Sequence, residues 1–427
     1  MSPMDRLFVT GGARLAGSVR VSGAKNSALK LMAASLLAPG RTVLHGVPRI
    51  QDCLTMAEVL EHLGVGVAWT DDAVIIDAST LTSFEAPYDL VRRMRASIVV
   101  LGPLLSRARR ARVAMPGGDN IGSRPVDLHV NGLRKMGAEI RSEHGFLHAE
   151  APYGLRGATI TLDYPSVGAT ENLMMAAVAA RGTTVIDNAA REPEIADIAR
   201  FLSTMGARIT GAGSSTLEIQ GVDTFAPAEH SVIADRIEAG TWAVAAVATR
   251  GDVTLANSSP DHLELLLAKL SDAGATIGLA EGGLRIRQDE RPKAVDFVTL
   301  PYPGVATDFQ PLLMAMLATA SGTSIATENV FESRFLYVDE LRRMGADIRT
   351  EGHHAVIRGV ERLSAAPVRA LDIRAGAAMV VAALCADGVT EVGDMHHVDR
   401  GYANFEEKLT SLGASVRRER ELTVTTP

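Results

Sequence analysis

One turn recurs six times along the 427 residues of the chain at nearly constant spacing. The copies are Leu63-Gly64-Val65, Met136-Gly137-Ala138, Met205-Gly206-Ala207, Ala273-Gly274-Ala275, Met344-Gly345-Ala346 and Leu412-Gly413-Ala414. Successive turn glycines are 73, 69, 68, 71 and 68 residues apart. This period is longer than that of a solenoid repeat, so each unit is predicted to be a small α/β module.

Five of the six units open with a helix of small apolar residues. These predicted helices span 28–38, 171–181, 240–250, 309–321 and 376–387, and they stop at Gly40, Gly182, Gly251, Gly322 and Gly388. Glycine suits these positions because helices commonly end on a left-handed residue. Short β-branched strands are predicted to follow at 42–47, 183–187, 253–256, 324–327 and 389–392. The helices carry hardly any charge, which predicts helices inside and sheets outside.

Length and composition predict two domains of three units each. The chain exceeds one ordinary domain in length, and its 47% hydrophobic content can fill two cores. The polar, proline-containing stretch 225–230 is the candidate boundary. The first predicted strand, 6–10, has no helix before it and could pair with either domain.

Composition also excludes several classes of protein. The only cysteines, Cys53 and Cys385, are too few for a disulfide framework and lack metal-ligand spacing. A net charge of −7 argues against broad nucleic-acid binding. No apolar run approaches the roughly 18–20 residues that a membrane span needs, so a cytoplasmic protein without membrane contact is expected. No metal cluster or dinucleotide fingerprint is visible, and no cofactor is expected.

Four basic residues stand at matching points of the repeats. Lys25, Arg95, Arg236 and Arg374 precede their turn glycines by 39, 42, 38 and 39 residues, at the starts of apolar helices. Helix N-termini carry unpaired N–H groups and a positive end, so these residues predict a pocket for phosphate or carboxylate groups. The alternative is that each forms a structural ion pair. The equivalent placement in four repeats favours the pocket.

A glycine-rich segment, 116–129, interrupts the second unit between a predicted strand and a predicted helix. It reads Pro-Gly-Gly-Asp-Asn-Ile-Gly-Ser-Arg-Pro-Val-Asp-Leu-His. Glycine hinges would let this loop close over a substrate and bring Asp119 and Arg124 to the reacting atoms. The alternative is an ordinary surface loop in which Asp127 caps the next helix.

Motifs in all six units resemble those of the UDP-N-acetylglucosamine 1-carboxyvinyltransferases, a family of enolpyruvyl transferases. The matching segments are Ser22-Gly23-Ala24-Lys25-Asn26, Met94-Arg95-Ala96-Ser97, 116–129, Ser166-Val167-Gly168-Ala169-Thr170, Ala190-Arg191-Glu192-Pro193-Glu194, Thr307-Asp308, Glu328-Asn329-Val330-Phe331-Glu332 and Asp399-Arg400-Gly401-Tyr402. Ordered motifs spread over the whole chain are far more specific than one glycine-rich loop.

The resemblance implies a two-domain inside-out α/β barrel of six units. One domain would span 23–230 and carry the lid 115–125, and the other would combine 1–22 with 231–427. The active site would lie in the cleft between them. The partners implied are two small molecules, phosphoenolpyruvate and UDP-N-acetylglucosamine.

The family's reaction adds the sugar 3-hydroxyl to C2 of phosphoenolpyruvate and then eliminates phosphate, an early step of peptidoglycan synthesis that supports cell shape and division. The resemblance assigns protonation of C3 to Asp119, where relatives more often have cysteine. Carboxyl groups can donate this proton if burial and a neighbouring phosphate raise the pKa. The antibiotic fosfomycin alkylates that cysteine in relatives, so insensitivity is expected here.

Asp308 matches the family's base for the sugar hydroxyl, although an aspartate before an apolar helix is also a common N-cap. The catalytic set implied is Asp119, Asp308, Lys25 and Arg400. The substrate-binding set implied is Lys25, Asn26, Arg95, Arg124, Pro125, Val126, Asp127, Leu128, Ser166, Val167, Gly168, Asp308, Val330, Arg374 and Arg400. His129 and His397 are expected to be structural.

Gln51 and Tyr164 depart from the family pattern, because lysines often contact anionic ligands at these positions. These two residues keep a paralogue open, and three alternatives stand in all. They are the sister transferase acting on shikimate 3-phosphate, a paralogue acting on another nucleotide sugar, and a ligand sensor without catalysis.

Overall fold

The computed structural model describes residues 5–115 and 126–420. Its strands are β1 (Asp5–Thr10), β2 (Ala16–Arg20), β3 (Arg41–His45), β4 (Gly66–Trp69), β5 (Ala73–Asp77), β6 (Glu85–Ala86), β7 (Arg110–Ala114), β8 (Glu139–Glu143), β9 (Phe146–Glu150), β10 (Thr159–Thr161), β11 (Thr183–Asp187), β12 (Arg208–Thr210), β13 (Thr216–Gln220), β14 (Glu229–Ser231), β15 (Asp252–Ala256), β16 (Thr276–Ala280), β17 (Gly283–Arg287), β18 (Phe297–Val298), β19 (Thr323–Thr327), β20 (Asp347–Glu351), β21 (His354–Arg358), β22 (Leu363–Ser364), β23 (Val368–Arg369), β24 (Ala386–Asp387), β25 (Val389–Gly393) and β26 (Ser415–Arg420).

The α-helices are α1 (Lys25–Ala34), α2 (Gln51–His62), α3 (Tyr88–Val91), α4 (Leu101–Ala108), α5 (Asp127–Lys135), α6 (Val167–Ala177), α7 (Pro193–Thr204), α8 (Arg236–Ala248), α9 (Glu264–Asp272), α10 (Gln310–Leu317), α11 (Val338–Arg343), α12 (Ile373–Leu384), α13 (His396–Asp399) and α14 (Phe405–Ser411). Short 3-10 helices span Ser35–Leu37, Arg95–Val100, Pro260–His262 and Thr307–Phe309. None of the helices in the described ranges is long and apolar enough to cross a membrane.

The described residues form two compact units, which we call the N-unit (23–115 and 126–233) and the C-unit (5–22 and 234–420). Three four-stranded sheets of the N-unit have the orders β14-β3-β5-β4, β6-β7-β9-β8 and β10-β11-β13-β12. Those of the C-unit have the orders β2-β15-β17-β16, β18-β19-β21-β20 and β23-β25-β1-β26.

All six four-stranded sheets share one topology. In each sheet the first strand runs parallel to the second, and the remaining neighbours are antiparallel. The sixfold repeat predicted from the glycine spacing is thus a repeat of one structural unit. Strand β1 pairs with β25 and β26, so the first strand of the chain belongs to the C-unit.

Buried helices form the core of each unit, as the lack of charge predicted. In the C-unit every residue of α8, α10 and α12 is buried, and these helices pack on one another. In the N-unit α1, α4 and α6 take the same place. The prediction of helices inside and sheets outside is confirmed.

The helix boundaries differ from the prediction. Helices α1, α6, α8 and α12 begin three or four residues earlier than predicted. The N-caps of three of them explain the shift, because Ser166, Asp235 and Asp372 accept hydrogen bonds from backbone N–H groups of the first turn. At the other end, the helix predicted to run to Asp387 stops at Leu384, since residues 386 and 387 pair in strand β24.

Candidate active site

The predicted cations stand at the starts of inner helices. Lys25 is the first residue of α1, Arg95 begins the 3-10 helix Arg95–Val100, Arg236 begins α8, and Arg374 is the second residue of α12. Lys25, Arg236 and Arg374 are buried. This placement keeps positive side chains beside N–H groups that the helix itself cannot satisfy, which favours anions.

Lys25 is held by a carboxylate that the sequence analysis missed. Its Nζ lies 3.0 Å from Oδ2 of Asp52, and both residues are buried. Asp52 stands in the first turn of α2, directly after Gln51. The structural ion pair considered for Lys25 therefore exists, and it also fixes the ammonium group at the start of α1. The only signal for it in the sequence is an acidic residue among the buried positions of α2.

The segment that follows the predicted lid contains a buried histidine. The His129 ring accepts a hydrogen bond at Nδ1 from Asn172 Nδ2 over 2.9 Å, which leaves the ring proton on Nε2. Burial, together with the charge of Arg95 and against the opposing charge of Asp127, lowers the pKa of His129 to about 4. His129 is therefore neutral at pH 7. A Cβ at Gly168 would lie 3.5 Å from Nε2, so the ring packs against the start of α6.

The start of α6 carries three of the predicted nucleotide-binding residues. Ser166 is its N-cap, and the hydroxyl accepts a hydrogen bond from the Ala169 N–H over 3.3 Å. Val167 and Gly168 form the first turn. Asp127 was considered as the cap of α5, but it is the first helical residue instead, and Val126 is the N-cap without a side-chain bond.

Asp308 lies between two buried arginines of the C-unit. Oδ2 accepts a hydrogen bond from Arg374 Nε over 3.1 Å, and Oδ1 lies 3.6 Å from Arg334 Nη2. Both arginines are almost fully buried, with 4% and 3% exposure. Burial would lower the pKa of Arg374, but Tyr402, Asp308 and Asp235 outweigh this effect and raise it. The N-cap alternative for Asp308 is wrong, because neither the 3-10 helix nor α10 takes a cap from it.

Arg334 was missed by the sequence analysis, which stopped two residues earlier at Glu332. Its Nε and Nη2, together with Nη1 of Arg374, are buried and have no hydrogen-bond partner within the described ranges. Buried N–H groups of a guanidinium are rarely left unpaired, because desolvating them is costly. These donors are suited to an anionic ligand such as a carboxylate or phosphate.

Glu328 connects Val330 to the segment that carries Asp308. Oε1 accepts from Thr299 Oγ1 and from the backbone of Val330, both over 2.8 Å. Oε2 accepts from Thr307 Oγ1 over 2.9 Å. Glu328 was not predicted as a site residue, yet it orders two of the predicted substrate-binding segments.

Arg400 follows α13, and its neighbour Asp399 is firmly fixed. Arg418 binds both oxygens of Asp399 over 2.8 and 2.6 Å, and also contacts Asp5 and Glu406. The Arg418 side chain is only 6% exposed. The ion-pair network thus anchors the backbone just before Arg400.

Three predicted site residues, Asp119, Arg124 and Pro125, lie outside the described residues. Within the N-unit, Lys25, Asn26 and Arg95 begin helices, Val126 is the N-cap of α5, and Asp127 and Leu128 are its first two residues. Within the C-unit, Asp308 and Arg374 are brought into contact, and Val330 is tied to Thr307 through Glu328. No group of three or more potential metal ligands is found in residues 5–115 and 126–420.

Comparison with known protein families identifies the class of protein to which the chain belongs. The family model for EPSP synthase (3-phosphoshikimate 1-carboxyvinyltransferase) matches residues 9–409. The chain therefore belongs to this family of carboxyvinyltransferases.

Curated relatives narrow the assignment. The UDP-N-acetylglucosamine 1-carboxyvinyltransferase of Corynebacterium jeikeium is 56% identical over 97% of this chain and 99% of the relative. That of Mycobacterium leprae is 54% identical over the same shares of the two chains. UDP-N-acetylglucosamine 1-carboxyvinyltransferase 2 of Carboxydothermus hydrogenoformans is 53% identical over 97% of this chain and 99% of the relative. The chain belongs among the UDP-N-acetylglucosamine 1-carboxyvinyltransferases, which confirms the resemblance drawn from the motifs.

Solved structures confirm the fold. The enolpyruvyl transferase NikO from Streptomyces tendae matches with a TM-score of 0.88 and 26% identity, over 98% of this chain and all of that one. EPSP synthase from Acinetobacter baumannii matches with a TM-score of 0.77 over 97% of this chain and all of that one. At 18% identity the second match shows the fold alone.

Proposed function

We propose that the protein transfers the enolpyruvyl group of phosphoenolpyruvate to the 3-hydroxyl of UDP-N-acetylglucosamine and releases phosphate. The single observation that carries this proposal is identity of 53–56% to enzymes named for that transfer, over nearly the whole of both chains. Buried cations at helix starts support it, because both substrates are anions.

Asp308 is the proposed base. In the addition step it accepts the proton of the sugar 3-hydroxyl as the oxygen attacks C2 of phosphoenolpyruvate. Arg374 and Arg334 contact the two carboxylate oxygens of Asp308 at 3.1 and 3.6 Å and so fix the orientation of the side chain. Their unpartnered N–H groups are donors for a carboxylate or phosphate of the substrate.

Asp119 is the proposed acid, which donates a proton to C3 as the new bond to C2 forms. In the elimination step a proton leaves C3, the bond between C2 and the phosphate oxygen breaks, and phosphate departs. Closure of the lid over the substrates would raise the pKa of Asp119 by removing water. Arg124, Lys25 and Arg400 would hold phosphoenolpyruvate and stabilise charge that develops during addition.

The start of α6 and the residues after the lid are proposed to hold the nucleotide sugar. Ser166, Val167 and Gly168 present a helix N-terminus, which suits the diphosphate. Neutral His129 supports this turn without adding charge. The effect of Gln51 and Tyr164 on nucleotide binding and the placement of the substrates between the two domains stay predictions.

This reaction would supply a precursor of peptidoglycan in the cytoplasm, and so support cell shape and division. The test is phosphate release from phosphoenolpyruvate with UDP-N-acetylglucosamine, with shikimate 3-phosphate, and without acceptor, for wild type and Asp119→Asn. We expect release only with the nucleotide sugar and its loss in the variant. Turnover with shikimate 3-phosphate alone would support the sister reaction instead, and silence with every acceptor would support a sensor or a paralogue.

A further inference from the structure

A cavity of about 330 Å³ lies in the N-unit at the C-terminal ends of the inner helices. Arg107, Arg109 and Arg181 line it together with apolar residues such as Val222 and Phe225. It adjoins the end of α6 that is opposite to Ser166. Helix α6 has 11 residues, and at 1.5 Å per residue its two ends are roughly 16 Å apart. The cavity is therefore distinct from the predicted nucleotide-binding turn.

In the C-unit, the place equivalent to this cavity is filled by the side chain of Arg291. There Arg291 donates hydrogen bonds to the carbonyls of Thr319, Ala320, Gly359 and Val360 over 2.7 to 3.2 Å. An isolated β-bridge joins Lys293 to Ser321 in the C-unit, and an equivalent one joins Arg156 to Arg181 in the N-unit. These two bridges set the residue-by-residue correspondence between the repeats.

By this alignment Gly154 is the counterpart of Arg291. The counterparts of Thr319 and Val360 are Ala179 and Val222, and both line the cavity, as does Gly154. The space thus exists because glycine replaces the arginine that fills it in the other unit. Two of the four residues whose carbonyls Arg291 binds thus have counterparts in the lining, and glycine at 154 offers them no side-chain donor.

Arg109 occupies a position that is glycine in every other repeat. Its carbonyl accepts the N–H of Ala151, as the carbonyls of Gly40, Gly182, Gly251, Gly322 and Gly388 accept equivalent N–H groups. The backbone of Arg109 is left-handed, with φ of 56°. A side chain there costs about 1–2 kcal/mol relative to the right-handed conformation, a cost that glycine would avoid.

The lining of the cavity has more positive than negative side chains, three arginines against one aspartate. Arg107 donates to the carbonyls of Leu36 and Ala78 over 2.9 and 2.6 Å. Arg109 and Arg181, both exposed, make no side-chain hydrogen bond or ion pair within the part of the chain that the structure describes. Asp223 is the one acidic residue in the lining. Arginines at helix C-termini also complement the helix dipole, but that role needs neither a cavity nor a left-handed backbone.

We propose that this cavity binds a small organic phosphate, with the phosphate on Arg109 and Arg181 and hydroxyl or amino groups on the backbone carbonyls of Ala179 and Val222. Guanidinium forks bind phosphate oxygens in pairs, and the volume lies at the lower end of the range for small-molecule pockets, about 300–1,000 Å³. The site is separate from the residues proposed for catalysis.

The test is calorimetric titration of the full chain with sn-glycerol 3-phosphate and with inorganic phosphate. Four proteins are compared, namely wild type, Arg109→Gly/Arg181→Ser, Arg250→Gly and Lys25→Met. Arg250 is a matched control because it also has a left-handed backbone at a helix end, with φ of 53°, but lies in the C-unit. Lys25→Met weakens phosphate binding at the proposed catalytic residues.

We expect wild type to bind sn-glycerol 3-phosphate more tightly than inorganic phosphate. The double variant should lose affinity at least tenfold, while Arg250→Gly and Lys25→Met keep it. Arg109→Gly relieves the left-handed backbone, so the double variant should melt no earlier than wild type and keep its enolpyruvyl transfer. Unchanged affinity in the double variant, loss of binding only in Lys25→Met, or no binding by wild type at millimolar ligand would overturn the proposal.

Discussion

Arg374 donates a hydrogen bond from Nε to Oδ2 of Asp308 over 3.1 Å, and the arginine is 96% buried at the start of an apolar helix. This pair joins a group proposed as a base to a group proposed to hold an anion. Arg334 approaches the other carboxylate oxygen at 3.6 Å, so Asp308 is flanked by two positive charges.

Replacement of Asp308 by asparagine keeps the shape of the side chain and removes the basic oxygen. Turnover should fall by about 100-fold or more, in the range typical of a lost general base. Binding of UDP-N-acetylglucosamine, measured by calorimetry, should change much less. Asp339→Asn is the control, because the Asp339 side chain is 76% exposed on helix α11. Near-normal turnover in Asp308→Asn would exclude its role as base.

Fosfomycin sensitivity is expected to depend on residue 119. The wild-type enzyme should keep its turnover after incubation with fosfomycin, because a carboxylate is a poorer nucleophile toward the epoxide than a thiolate is. Asp119→Cys should be inactivated and gain the mass of one adduct. Intact-protein mass spectrometry and residual turnover measure both outcomes, and an adduct on Asp119 of the wild type would contradict the prediction.

Arg418 is expected to position Arg400 through Asp399. Arg418→Lys keeps one charge but loses the paired contacts with three carboxylates, which should raise KM for phosphoenolpyruvate several-fold and speed hydrogen exchange across 396–402. The expected cost in stability is about 2 kcal/mol. Arg420→Lys is the matched control, since Arg420 lies 3.9 to 4.0 Å from the same carboxylates and is 64% exposed. Equal behaviour of the two variants would show that Arg418 does not position the site.

Glu171 should make stability depend on pH. Burial raises its pKa to about 7, against the opposing charge of Lys30, whose Nζ lies 3.3 Å away, and with help from Glu194 and Glu192. The pKa of Glu171 is higher in the folded protein than in the unfolded chain, so the folded protein binds a proton more tightly at this carboxyl group. The free energy of unfolding should therefore fall as the pH rises from about 5 toward 8.

Glu171→Gln removes this titration. The free energy of unfolding of the variant minus that of wild type should therefore increase with pH, by on the order of 1–3 kcal/mol between pH 5 and 8. Urea unfolding at several pH values measures the difference. Asp187→Asn, on a partly exposed strand position, serves as control. A difference that stays flat or falls with pH would rule out the raised pKa.

The repeat was predictable because the turn glycines and the small-residue helices report backbone conformation and burial, which are local properties. The same local signals could not place the helix starts, since Asp235 and Asp372 are polar residues that belong to the helices as caps. The carboxylate of Asp308 was open to two interpretations for this reason.

The missed residues depend on distant parts of the chain. Asp52 meets Lys25 from another helix, and Arg334 reaches Asp308 from beyond a separate strand. Glu171 and Lys30 pair between two inner helices, α6 and α1, and both residues are buried. Such contacts follow from how the helices of each unit pack, which spacing in one sequence does not show.

The most direct test of the proposed activity is to identify its product. Phosphoenolpyruvate and UDP-N-acetylglucosamine are incubated with the wild-type protein, and the nucleotide sugar is analysed by mass spectrometry and proton NMR. We predict one added enolpyruvyl group, located on the sugar 3-oxygen, together with one phosphate released per product. Unmodified nucleotide sugar after prolonged incubation with active, folded protein would contradict the account.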